Sequence, residues 1–114
     1  LPFAPKVPIE HSPFDFGVLS PIKQAYLSDI GGVDHPFSLE DKVSFDKASV
    51  LYHDPISERT MALWSNQPSV VVYTNNIDYK RHGGICFEPQ QFPNTLNLLE
   101  AGEKYYNEII LKFY

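Results

Sequence analysis

Cysteine is almost missing from this chain: Cys86 is the one thiol in 114 residues. A single thiol builds no intramolecular disulfide framework and no cysteine-rich zinc site. Basic residues are also few, nine against 14 acidic ones, for a formal net charge of -5. They are scattered, whereas a nucleic-acid binder needs clustered Lys and Arg for its phosphate contacts. No apolar run approaches the ~20 residues of a membrane-spanning helix. No Asn-x-Ser/Thr sequon occurs. Residues 1–9 are apolar, but prolines interrupt them and no basic segment precedes them, so they do not read as a signal peptide. The expected compartment is the cytoplasm. The chain begins Leu1-Pro2-Phe3 rather than with Met, as expected of a fragment or a processed product.

What is present points to β-structure. With 43% apolar and 20% charged residues the chain is globular in composition, and its length fits one domain or a piece of one. Five of the ten prolines fall in 1–21, so residues 1–20 are too proline-rich for helix and are expected as extended structure crossing a surface. Residues 21–30 are the one short helix expected: Pro21 suits a first helical position and Gly31-Gly32 a stop. Beyond Gly32 the pattern predicts strands over 43–52, 59–65, 69–75, 83–88 and 104–114. Val70-Val71-Val72-Tyr73 is β-branched and aromatic, and Asn75-Asn76 supplies turn residues after it. His53-Asp54-Pro55 and Asn66-Gln67-Pro68 read as connectors. Short strands with short turns predict an antiparallel sandwich, or part of one. Five aromatic-rich strands close a poor core alone, so the chain is expected to complete a larger sheet, in cis or in trans.

Metal chemistry finds no support. His11, His35, His53 and His82 form no H-x-x-x-H pair and no cluster with cysteine. No G-x-S-x-G, P-loop or G-x-G-x-x-G is present, so neither a nucleophile elbow nor a nucleotide cradle is expected. The sharpest feature is Gly83-Gly84-Ile85-Cys86-Phe87-Glu88-Pro89-Gln90-Gln91-Phe92-Pro93-Asn94. If Ile85 to Glu88 is a strand, Glu88 shares a face with Cys86 while Ile85 and Phe87 point the other way. A carboxylate there is expected to be poorly solvated, with its pKa raised toward neutrality as a general acid or base requires. The bland alternative is a Glu at an exposed strand end.

That segment resembles the signature of the aldose 1-epimerase (galactose mutarotase) family, in which a strand carries Glu-x-Gln ahead of an aromatic-Pro step and an Asn. Other segments resemble the family in the same order. Ser12-Pro13-Phe14-Asp15-Phe16 is similar to T-P-F-D-F, and Gly32-Val33-Asp34-His35-Pro36-Phe37 to G-Y-D-H-x-F. Asp54 through Met61 resembles D-P-x-S-G-R-x-M, with Glu58 in the glycine position. Asn66-Gln67-Pro68 and Tyr73-Thr74-Asn75-Asn76 are similar to Q-P-G and Y-T-G-N, and Gly102-Glu103-Lys104-Tyr105 to G-E-x-Y. The resemblance covers the C-terminal portion of the family and runs over residues 1–114 as one unit.

It implies an all-β fold: an antiparallel β-sandwich of galactose-mutarotase type, here its incomplete C-terminal part with at most one short helix. It implies interconversion of the α and β anomers of an aldohexose such as galactose or glucose, with no metal and no cofactor. A carboxylate takes the C1 hydroxyl proton while a histidine protonates the ring oxygen. By the resemblance Glu88 is the general base, Asp34 binds sugar hydroxyls, Gln67 is a further sugar contact, and Gln90 binds substrate or orients Glu88. The general-acid histidine belongs to the family's N-terminal portion, which this chain is expected to need in cis or in trans. Neither nucleic acid nor membrane is an expected partner. The alternatives are a non-catalytic sugar-binding or regulatory protein of the same fold, and an unrelated β-rich interaction module.

Overall fold

The computed structural model describes residues 5–23, 31–39, 45–74, 83–93 and 95–114. Among them the chain is all β: β1 (Asp34–Ser38), β2 (Val50–Asp54), β3 (Arg59–Ser65), β4 (Ser69–Tyr73), β5 (Cys86–Gln90) and β6 (Ile109–Phe113). They form two three-stranded antiparallel sheets, ordered β1-β4-β5 and β2-β3-β6. Most of the helix expected over 21–30, the Asn75-Asn76 turn and His82 lie outside the described residues.

The central strand of each sheet is the one the sequence pattern marks most clearly. β4 carries three consecutive valines, as suits a strand with a neighbour on each side. β3 holds Ala62 and Leu63 buried at its middle. The edges of the first sheet are different. β1 and β5 each contain a proline, Pro36 opposite Val71 and Pro89 opposite Val70. Proline removes a ladder donor, which an edge strand tolerates and a central strand does not. That is why the pattern overlooks β1: its sequence, Asp-His-Pro-Phe-Ser, lacks the expected β-branched run. β2 also begins later than expected. His53 and Asp54 end the strand rather than forming the turn, which is made by residues 55–58.

The two sheets face each other through aromatic contacts. Cross-strand register puts Phe37, Val70, Val72 and Phe87 on one face of the first sheet. Val50, Tyr52, Leu63 and Leu111 share one face of the second. Tyr52 meets Phe87 with ring centroids 5.7 Å apart. Phe14 and Phe16 cover Phe37 at 6.3 and 6.2 Å, so the Pro-rich stretch packs across the first sheet, but as a run of turns rather than the expected extended structure: Ser12 N–H donates to Ile9 O and Asp15 N–H to Ser12 O. Between the sheets an open cleft of about 630 Å³ remains, lined by Phe37, Val70, Val72, Phe87, Val50 and Tyr52 among others.

Two turns hold the strand ends. Gly31 and Gly32 adopt φ of 72° and 132°, and they deliver Val33, fully buried, to the end of β4. There Thr74 Oγ1 accepts from Val33 N–H at 2.9 Å, and Thr74 N–H donates to Val33 O at 3.0 Å. At the β2–β3 turn the Asp54 carboxylate accepts from the Ser57 hydroxyl at 2.6 Å and from the Ile56 and Ser57 amides. Glu58 follows at φ 57°, a left-handed conformation that suits the family's glycine and costs a side chain roughly 1–2 kcal/mol.

The Ser57 hydroxyl, then the Ile56 amide, hold the Asp54 pKa below the usual carboxylate range. A depressed folded-state pKa gives stability that is present above the unfolded value and lost as pH falls through the folded one. We therefore expect this turn to loosen below about pH 4. Amide exchange at Ile56 and Ser57, followed down an acid titration, should accelerate there, and an Asp54→Asn variant should show no such step.

Candidate functional site

On an antiparallel sheet, residues directly opposite share a face, and so do residues two apart. Asp34 pairs with Tyr73, which pairs with Cys86. Pro36 pairs with Val71, which pairs with Glu88, and Ser38, Ser69 and Gln90 make the next row. One face of the first sheet therefore presents Asp34, Tyr73, Val71, Glu88 and Gln90, on the side turned away from the cleft. Asp34 and Glu88 sit on the two edge strands with β4 between them. Two strand spacings and one two-residue step place their Cα atoms roughly 12 Å apart. Both side chains are exposed. A pyranose-sized molecule laid over Val71 and Tyr73 can meet a carboxylate on each side.

Three of the four expected site residues thus come together, and the fourth is elsewhere. Gln67 is 1% exposed. Its Oε1 accepts from Gln91 Nε2 at 3.2 Å and from the Tyr105 hydroxyl at 3.4 Å, while its Nε2 donates to Asn66 Oδ1 at 3.1 Å. A side chain so enclosed anchors the β3–β4 turn to the chain beyond β5. The Gln90 amide also makes a contact other than the one expected, donating to Gln91 O at 3.1 Å rather than to Glu88.

Gln91 and Tyr105 complete this anchor. Both lie within segments that resemble the family, but the resemblance gave neither a role. Replacing Gln67 by Met keeps the volume but strips two donors of their acceptor and costs about 1–3 kcal/mol. Urea titration should place the Gln67→Met midpoint well below wild type, with Tyr105→Phe shifted less.

The expectation that Glu88 is poorly solvated is not met: it is exposed. The reason is its place on an edge strand, on the face turned away from the cleft. The described histidines make their contacts elsewhere. His35 points away from Asp34 and stacks on Phe14 at 4.6 Å. His53 Nδ1 lies 2.9 Å from Thr60 Oγ1, at the turn in the other sheet. His11 adopts φ 61° in the leading segment, where its amide donates to Asp15. Tyr73 is on the site face and half-buried. Trp64 is half-buried on the outer face of the second sheet, opposite Ile110.

Among the described residues no group of three or more His, Cys, Asp or Glu is placed to hold a metal ion. No helix among them is long and apolar enough to cross a membrane.

Comparison of the sequence with known proteins points to one family. The family profile described as aldose 1-epimerase matches residues 1–112. A galactose mutarotase of Rattus norvegicus is 30% identical over 93% of this chain and 36% of its own length. A galactose mutarotase of Homo sapiens is 28% identical over 99% of this chain and 38% of its own. An aldose 1-epimerase of Haemophilus influenzae is 28% identical over 96% and 39%. The chain therefore spans well under half the length of these relatives.

Proposed function

Because this chain belongs to the aldose 1-epimerase family, we propose that it carries the general-base half of a mutarotase site. Glu88 takes the proton from the C1 hydroxyl of a cyclic aldohexose such as galactose or glucose. As the C1–O5 bond breaks, an acid delivers a proton to the ring oxygen. Rotation about C1–C2 presents the other face of the aldehyde, and the reverse transfers close the ring as the opposite anomer. Atoms and charge balance with no redox partner, so one base and one acid suffice. Asp34 accepts hydrogen bonds from sugar hydroxyls across β4, and the Gln90 side chain borders the same row. Gln67, enclosed as it is, serves the site by anchoring the chain after β5.

The observation that carries this reading is the shared face: Asp34 and Glu88, singled out by separate motifs, are aligned on one surface by the register of β1, β4 and β5. The acid and the remaining sugar contacts come from the family's N-terminal portion, in cis or in trans. An exposed free thiol, Cys86, suits a reducing compartment such as the cytoplasm. The test is polarimetric. Freshly dissolved α-galactose should equilibrate faster with the completed protein than in buffer, and Glu88→Gln should remove the acceleration.

A second reading has its own support. It is a non-catalytic sugar-binding or regulatory protein of the same fold, whose exposed Asp34 and Glu88 would hold sugar hydroxyls without a proton transfer. Saturable galactose binding without any acceleration, in the completed protein, would select it.

A further inference from the structure

Asp34 opens β1, an edge strand of its sheet. Thr74 N–H donates to Val33 O and Leu39 N–H to Pro68 O, so the odd-numbered residues of this stretch exchange ladder bonds with β4. Asp34 falls in the alternate, non-hydrogen-bonded pair with Tyr73, and its amide points out of the sheet edge. The next outward position is Pro36, which has no amide hydrogen. The ladder therefore does nothing to hold the Asp34 amide.

That amide nevertheless has a partner. It donates to His35 Nδ1 at 3.0 Å. An imidazole nitrogen that accepts carries no proton, so the ring proton of His35 sits on Nε2. The His35 side chain points away from the Asp34 carboxylate, and its ring packs against Phe14 with centroids 4.6 Å apart. The segment that supplies Phe14 is itself tied down. Phe14 N–H donates to Ser12 Oγ at 3.1 Å, and the Ser12 hydroxyl donates to Ile9 O at 2.6 Å. The Asp15 carboxylate accepts from the His11 and Gly17 amides at 2.9 and 3.3 Å. Phe14 and Phe16 both rest on Phe37, which shares a face of β1 with His35. Ser12-Pro13-Phe14-Asp15-Phe16 and the histidine of Asp34-His35 have no part in the proposed reaction, yet they meet on the reverse of the site face.

We propose that His35 is a positioning residue of the hexose site: its Nδ1 pins the Asp34 backbone, and Phe14 holds its ring in place. A strand end without ladder bonds frays. A carboxylate carried on a fraying end would not keep its place across β4 from Glu88. The inference rests on the reading of Asp34 as the contact for sugar hydroxyls, and it adds what keeps that contact in position.

The experiment uses the isotopically labelled full chain, with galactose as the probe. His35→Phe keeps a ring against Phe14 and removes the acceptor. The Asp34 amide should then exchange with water about 2–10-fold faster, the net effect of one hydrogen bond, and galactose should bind more weakly by a similar factor. The Thr74 amide, bonded to Val33 O, should exchange as in wild type. His35→Asn places Oδ1 where Nδ1 was and should restore both the protection and the affinity. In an Asp34→Asn background, His35→Phe should cost no further affinity, because both act through one contact. Phe14→Leu should move both readouts the same way by less. His35 is exposed on an edge strand, so circular dichroism should show its variants folded. Failure of His35→Asn to rescue, losses that add in the double variant, or galactose binding indifferent to His35→Phe would each overturn the role of His35 alone. A wild-type chain that binds no galactose would overturn the hexose reading, and the role of His35 with it.

Discussion

Glu88→Gln should lower galactose mutarotation by the completed protein by about 10²–10⁴-fold, the usual contribution of one positioned acid or base. The substitution keeps the shape of the side chain and its place opposite Val71. It removes only the ability to take a proton. Glu88 is exposed on an edge strand, so the amide strands no buried charge and the fold should tolerate it. The loss should therefore appear in kcat with an unchanged denaturation midpoint, since the interaction removed belongs to the transition state. Asp34→Asn, on the far side of β4, should act mainly on KM, because its proposed role is to hold hydroxyls that do not react. If Glu88→Gln changed KM and kcat in the opposite proportion, Glu88 would be a binding group and not the base.

The second large effect concerns stability. Leu63→Ala should cost about 2–5 kcal/mol, the range for emptying a buried leucine site. Leu63 is 2% exposed at the middle of β3, flanked on the same face by Val50 and Leu111. Few large side chains are as fully buried, so little neighbouring core can collapse into the space. A domain of this size has only about 5–15 kcal/mol to lose, so the variant should be partly unfolded near room temperature in mild urea. Urea titration should show a much lower midpoint with the same slope. Leu51→Ala, one register step away but 58% exposed, should move the midpoint little. Equal shifts for the two variants would mean that the second sheet is not packed as described.

How far the sequence foretold this structure depends on which residues carried the signal. β3 and β4 were legible because a central strand is apolar at its middle, as Met61-Ala62-Leu63-Trp64 and Val70-Val71-Val72 are. β1 was illegible because an edge strand tolerates Pro36 and polar neighbours. Its pairing with β4 comes from a long-range register that no local pattern encodes. The site shows the same division. Asp34, Glu88 and Gln90 were found through motifs, and their shared face followed from strand alternation once the register was known. Gln67 was singled out by its motif as well, but it is buried, and a motif does not say which way a side chain points. Its burial depends on Gln91 and Tyr105, the latter 38 residues away in sequence. The solvation of Glu88 was misjudged for a related reason. An apolar stretch of sequence suggests burial, but on an edge strand half of its residues face outward.

The central claim is that the Asp34–Glu88 face of the β1-β4-β5 sheet binds an aldohexose. Its most direct test is a galactose titration of the isotopically labelled full chain, read by amide chemical shifts. The account predicts saturable shifts gathered at Asp34, Val71, Tyr73 and Glu88, weakened by Asp34→Asn. Shifts gathered instead at Phe37, Val72 and Phe87, on the cleft side of the same strands, would contradict it.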